Sequence, residues 1–241
     1  SFLANINNMN FKKLFNKLIK YNDNTYDFSL INDKVENSNI SESESPESNY
    51  KVFSNIIENL DFLKSKYNTL ICADIIIREF NMFAYNQNHK CFIIYIDGLV
   101  DSISINDFIL KPLMLGKHRY NKPFEGDLTD YVDNCLLPQN SVSKVKAYQD
   151  VFSGINMGDC LLFIDTLNIA FDIDVKQYQQ RSISNPENES VIKGPQEGFV
   201  ENFRTNTSLL RRIVNSENLV IETIPVGKIS KTKCGVCYLQ N

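Results

Sequence analysis

Lys90-Cys-Phe-Ile-Ile-Tyr-Ile-Asp-Gly-Leu-Val-Asp101 is the stretch on which the fold turns. Cys91 to Ile96 is an unbroken apolar run of strand length, suited to a strand covered on both faces. Asp97-Gly98 then turns the chain. A helix is expected to start near Ser104, where Ser104 and Asp107 have capping-box spacing, and to end near Lys111-Pro112. Upstream, Phe53, Ile56, Ile57, Leu60 and Leu63 share one helical face, and Ile75-Ile-Ile77 reads as another buried strand. Downstream, a second helix is expected over Leu128 to Leu137, and Pro138-Gln-Asn-Ser141 marks a boundary. Beyond it lie a strand at Cys160 to Asp165, an alternating strand at Ala170 to Val175, and a helix over 197–214 with Phe199, Phe203, Leu210 and Ile213 inward. Closing strands follow at Leu219 to Val226 and Cys234 to Leu239. Leu161 to Asp165 echoes Ile93 to Asp97, and Lys233 to Asn241 aligns with Lys90 to Gly98. The expected class is α/β: two small mixed-sheet subdomains, 51–138 and 139–241, joined by a hinge near Pro138.

Residues 1–50 read as a poorly ordered or helical N-terminal extension. Phe11, Leu14, Phe15, Leu18 and Ile19 recur at helical spacing beside Lys12, Lys13, Lys17 and Lys20, a basic amphipathic helix suited either to an anionic surface or to docking on its own domain. Residues 36–49, ENSNISESESPESN, carry too little apolar surface to offset ordering entropy and read as a linker. The 241 residues are 43% hydrophobic with 16 Phe, 11 Tyr and no Trp, enough to fill two small cores. A net charge of -4 with interspersed signs argues against nucleic acid as a partner. No window reaches the 18 or more apolar residues of a membrane span. The six cysteines are expected as buried, reduced side chains.

Three clusters invite a chemical reading. Cys234-Gly-Val-Cys237 has redox-pair spacing but lies in an apolar strand-like run, where buried strand cysteines are the plainer reading; zinc would need further ligands, and His89 and His118 have no fixed spacing to it. Asp97 and Asp101 are either paired carboxylates at a strand-to-loop junction or backbone caps for the turn and helix. Lys193-Gly-Pro-Gln-Glu-Gly198 ahead of a helix either presents backbone N–H groups to an anion or is structural, Glu197 supplying the negative charge at the helix start. Arg211 and Arg212 either complement the helix dipole or form interface ion pairs. No acid-base or nucleophile constellation is complete.

Tyr95-Ile-Asp-Gly-Leu-Val-Asp101 with Lys111-Pro-Leu113, Arg181-Ser-Ile183 with Pro186-Glu187, Val191-Ile-Lys-Gly-Pro-Gln-Glu-Gly-Phe-Val-Glu201 with Thr205-Asn206 and Arg211-Arg212, and Ser230-Lys-Thr232 occur in this order from about Ile71 to Leu239. Together they resemble the soluble N-terminal domain of A subunits of the GerA family of spore germinant receptors, its SpoVAF branch included. Gln196 stands where the family usually carries a basic residue, which weakens an anion-binding role there. The resemblance implies a domain on the core (cytoplasmic) side of the spore inner membrane, anchored through a region beyond Asn241. It implies assembly with B and C subunits, self-association of A subunits, and a part in nutrient signal coupling. Asp97, Gly98, Asp101, Lys111, Arg181, Glu187, Gly194, Glu197, Gly198, Asn206, Arg211 and Arg212 are then ligand or interface candidates rather than catalytic groups. No enzyme activity, cofactor or metal is expected. The alternative is a module that binds a small-molecule nutrient directly in the cleft between subdomains.

Overall fold

A computed structural model describes residues 50–115, 126–177 and 198–240, all within one unit, Glu44–Asn241. The expected amphipathic helix and acidic linker lie outside the described residues. Helix α1 (Ile56–Lys66) leads into β1 (Ile75–Ala84) and β2 (Gln87–Ile96). Helix α2 (102–115) opens as Ser102–Ser104, passes through a π-helical stretch, Ile105–Leu110, and ends as Lys111–Leu115. Helix α3 (128–136) likewise joins Leu128–Tyr131 to a π-helical Val132–Leu136. Then come β3 (Val142–Val145), α4 (Tyr148–Met157), β4 (Cys160–Ile164) and β5 (Ala170–Ile173). Helix α5 (Phe203–Ile213) and the strands β6 (Leu219–Val226) and β7 (Thr232–Leu239) close the described chain.

Five strands form one sheet in the order β1-β2-β4-β5-β3, antiparallel at every pairing, and β6-β7 is a separate two-stranded ribbon. The α/β class and the second small sheet are as expected, but the line between the two bodies falls elsewhere. Pro138 does not divide the sheet: β2 pairs with β4, Ile93 opposite Leu162 and Ile94 opposite Leu161. The similarity of Ile93–Asp97 to Leu161–Asp165 is therefore that of adjacent strands. A strand as apolar as Cys160–Ile164 needs a partner at each edge and cover on each face, which a separate downstream subdomain lacks and the shared sheet supplies.

Alternation sorts the central strands onto two cores. Cys91, Ile93, Cys160, Leu162, Phe171 and Ile173 face α2 and α3, where Ile105, Ile109, Leu113, Val132 and Leu136 cover them. Phe92, Ile94, Ile96, Leu161, Phe163 and Ala170 face α1 and α4, meeting Leu60, Leu63, Val151 and Ile155. Phe92 and Phe163 are register partners with rings stacked at 4.7 Å, and each contributes about 1.5–3 kcal/mol by burial. Tyr148 docks α4 on α1 by donating its hydroxyl to Asn59 Oδ1 at 2.6 Å. That oxygen also accepts the Phe53 N–H, while Asn59 Nδ2 donates to the Phe53 and Asn55 carbonyls, so the buried amide is fully used. The β1-β2 hairpin closes through Tyr85 and Asn86, both at positive φ, and Tyr85 donates its hydroxyl to the Gly126 carbonyl ahead of α3.

Two local expectations are corrected. Helix α2 starts at Ser102, capped by Asp101 rather than Ser104, and continues past Pro112, which sits where the π-helical stretch passes into the α-helix. Cys234 and Cys237 are exposed, unlike the buried Cys72, Cys91 and Cys160, because β7 is the outer strand of a two-stranded ribbon and every one of its residues is exposed.

One carboxylate opposes the fold. Asp172 on β5 points toward α4 beside Gly154, with Oδ1 buried and without a donor among the described residues. Burial first, then the neighbouring Asp159, pushes its carboxyl up to about 6; Lys176 works the other way, and Asp174 and Asp150 add to the rise. Its pKa is raised on folding, so the folded state binds the extra proton and stability falls as pH climbs from about 4 through 6. Asp172→Asn should therefore raise stability by on the order of 1 kcal/mol above about pH 7, screening included, and by nothing near pH 4. Urea melts of both proteins across this range check it; an equal gain at every pH would contradict the assignment.

Candidate functional site

Two aspartates stand at one end of the β1-β2 ladder. Asp74 immediately precedes β1 and Asp97 immediately follows β2, and the Asp97 N–H donates to the Asp74 carbonyl at 2.7 Å. Helix α5 lies across this end and answers both. Arg211 donates from Nε to Asp74 Oδ2 at 2.7 Å and from Nη2 to Asp74 Oδ1 at 3.0 Å, a bidentate pair in which both side chains are buried. Two turns earlier on the same helix, Arg204 pairs with Asp97 at the surface. Burial works against the Arg211 charge, and the Asp74 hydrogen bonds outweigh it and hold the guanidinium pKa up.

Arg211 also joins the ribbon to the sheet. Its Nη1 donates to the Ser216 carbonyl at 3.5 Å and its Nη2 lies 3.8 Å from Cys72 Sγ. Cys72 itself bridges to Glu222 of β6, and Val220 of β6 enters the core beneath α1 and α4. Phe203 packs over Gly235 of β7. Gly98 completes the contact: it sits at φ +93°, and a Cβ there would stand 3.2 Å from Ser208 Cβ and 3.4 Å from Arg204 Cγ. The Asp97-Gly98 turn thus lets α5 approach the sheet end more closely than a side chain would allow.

Asn202 caps α5 by accepting the Thr205 N–H, and Asn206 clamps the approach to it, accepting from Val200 N–H at 2.7 Å and donating to the Val200 carbonyl at 2.6 Å. The helix therefore starts at Phe203, six residues later than expected, and its inward face differs from the expected one. Phe199 and Ile213 are 65% and 68% exposed, while Thr207, Leu209 and Arg211 are buried. An apolar-stripe reading fails here because the strand end presents charge, and the helix turns its arginines to meet it.

Asp101 caps α2, accepting from Ile103 N–H and from Ser104 Oγ at 2.6 Å; the Ser104 hydroxyl holds its carboxyl below the usual range. Its own N–H donates to the Val175 carbonyl, so the capping reading of Asp101 fits the geometry. Lys111 is on the exposed side of α2, 3.7 Å from Asp107. Arg212 lines a space of about 30 Å³ with Gly98, Leu99, Gln177 and Ser208. Gly198 stands in open space. Arg181, Glu187, Gly194 and Glu197 lie outside the described residues. Cys234 and Cys237 are three residues apart on an extended strand, about 10 Å between Cα atoms, too far for a disulfide. Burial pushes the Cys91 thiol up to about 12, which leaves it inert. Among the described residues no group of three or more His, Cys, Asp or Glu side chains is placed to hold a metal. No described helix is long and apolar enough to cross a membrane.

Asp74 and Arg204 were absent from the sequence-derived candidates. The available signal was the pair of aspartates flanking the two strands and the arginines seven residues apart.

A sheet covered by helices, with a ribbon latched to one strand end, defines an α/β domain whose fold has a solved counterpart among germinant receptor A subunits. It matches the crystal structure of the N-terminal domain of the A subunit of the Bacillus megaterium spore germinant receptor GerK3 at a TM-score of 0.54 and 25% identity, over 79% of this chain and 66% of that one. The chain belongs to the GerA family: the model for the Bacillus/Clostridium GerA spore germination protein matches residues 61–241. Stage V sporulation protein AF of Bacillus subtilis is 30% identical over 81% of this chain and 38% of its own length. Spore germination protein KA of the same organism is 30% identical over 70% of this chain and 30% of its own. The chain thus spans about a third of the length of these relatives and is a domain like that of spore germinant receptor A subunits.

The buried pair carries a direct test. Arg211→Met alone strands a carboxylate and should cost about 3–5 kcal/mol, whereas Asp74→Leu combined with Arg211→Met should recover most of that loss. A double-mutant cycle by denaturant unfolding measures it, and additive losses would show that the two residues do not act as a pair.

Proposed function

We propose that this domain is a non-catalytic assembly and signal-coupling module of a spore germinant receptor A subunit. In this reading it works on the core side of the spore inner membrane with B and C subunits and further A subunits. The observation that carries it is the latch: α5, which packs on the ribbon through Phe203, meets the five-stranded sheet through two aspartate-arginine pairs at one strand end. Polar pairs of fixed geometry suit two discrete arrangements better than a gradual slide, so displacement of the ribbon is transmitted to the sheet end and back. The space beside Gly98 suits coupling rather than nutrient binding at the joint itself, since about 30 Å³ holds a water and ligand sites run to hundreds of Å³; open clefts of about 390 and 330 Å³ lie elsewhere, lined by Leu60 and Phe92 and by Lys111 and Pro138.

The exposed pair is the one to alter, since it leaves the buried pair intact. In spores carrying the whole receptor, Arg204→Asp should abolish or strongly delay nutrient-triggered ion release while subunit levels stay normal, and Asp97→Arg with Arg204→Asp should restore part of the response. Wild-type germination kinetics in Arg204→Asp spores with normal receptor content would sink the coupling role. Saturable binding of a nutrient to the purified chain, lost on altering residues around Gly98, would instead favour the direct-binding reading.

A further inference from the structure

We infer that the tip of the β6-β7 ribbon, 227–233, is a contact for the anionic surface of a lipid bilayer. The chain has no acidic residue after Glu222, yet Lys228, Lys231 and Lys233 fall within six residues of one another. All three are exposed, and among the described residues none is ion-paired, whereas Lys64, Lys111, Lys144 and Lys176 each find a carboxylate. At the apex Ile229 is 98% exposed, with Val226 beside it also exposed.

The tip is a formed turn. Gly227 at φ +91° and Lys231 at φ +45° reverse the chain, and Ser230 Oγ donates to the Val226 carbonyl at 3.4 Å. A Cβ on Gly227 would fall 2.5 Å from Ser230 Oγ, so the loop closes this tightly only on glycine. The turn therefore holds Ile229 outward in advance of any partner. A lone exposed isoleucine needs no explanation, but one at the apex of a convex turn among three unpaired cations has the form of an interfacial wedge. The isoleucine enters the headgroup boundary, and the lysines lay their stems along it and carry their ammonium groups to lipid phosphates. An acidic protein face is the less fitting partner: a convex tip of seven residues offers far less than the roughly 800 Å² per partner of a stable protein interface. The inference stands on the tip and does not depend on the latch's coupling role.

Flotation of the purified 241-residue chain with vesicles of phosphatidylcholine alone, or of phosphatidylcholine with phosphatidylglycerol, tests it. The chain should bind only the anionic vesicles and be released by salt. Changing Lys228, Lys231 and Lys233 to Gln should lower partitioning roughly a hundred-fold, about five-fold per lysine. Ile229→Ser should lower it several-fold, with thermal melts unchanged in both variants; if the triple variant melts differently, Ile229→Ser decides. A chain with Lys12, Lys13, Lys17 and Lys20 changed to Gln separates the other basic stretch and should still bind. Failure to bind anionic vesicles, binding indifferent to the tip variants, or complete loss in the Lys12–Lys20 variant would each overturn the inference.

Discussion

A guanidinium shielded from water must find its carboxylate inside the protein, and the meeting of Arg211 with Asp74 is the constraint around which the second half of this domain is arranged. It fixes the rotation of α5 about its axis, which brings Arg204 to Asp97 and presses the helix on Gly98. It fixes where the chain leaves the helix, through the Ser216 carbonyl, and so where β6 begins. Pairs of this kind add little net stability beside an apolar replacement, but they tolerate few alternative geometries. The gain is registry: α5 meets the sheet end in a defined orientation.

The two halves of the domain are held by different physics. The five-stranded sheet is clamped between apolar cores on both faces, with Tyr148 and Asn59 buried in one of them and fully hydrogen-bonded. The ribbon is buried only at its root, at Leu219, Val220 and Ile221, and is open to solvent from Ile224 onward. The result is a layered body bearing a slender projection, seated by an apolar root and by the helix whose charged pairs hold the sheet end.

The central strands were legible in the sequence because a central strand of a covered sheet is apolar at every position, whereas the short edge strand β3 and helix α4 were not anticipated. Cys91–Ile96 and Cys160–Ile164 show this without ambiguity, and Leu219–Val226 was placed on the same grounds. The partnership of strands was not legible: antiparallel pairing of β2 with β4 joins residues about 70 apart, and nothing local in Pro138-Gln-Asn-Ser141 distinguishes a loop within a sheet from a boundary between two. Of the candidate site, Asp97, Gly98, Asn206 and Arg211 do meet or support the joint, whereas Lys111 and Gly198 do not. Their family motifs marked the positions; their partners Asp74 and Arg204 carried no motif, and the spacing of the two aspartates and of the two arginines does not by itself say which pairs with which across 137 residues. Helix α5 was misread for the same reason: amphipathic pattern assumes an apolar neighbour, and its neighbour is charged.

The antiparallel order of the sheet also sets the sequence of events in synthesis. The β1-β2 hairpin is local and can form early, but β2 acquires its second neighbour only when β4 has emerged, and the far edge strand β3 must wait for β5. Helix α5 comes later still, so a nascent chain passes through a stage in which the layered body is complete while Asp74 and Asp97 stand bare at its end. The joint can therefore close only after the five strands of the sheet have been made, and it unites segments that the ribosome makes far apart in time.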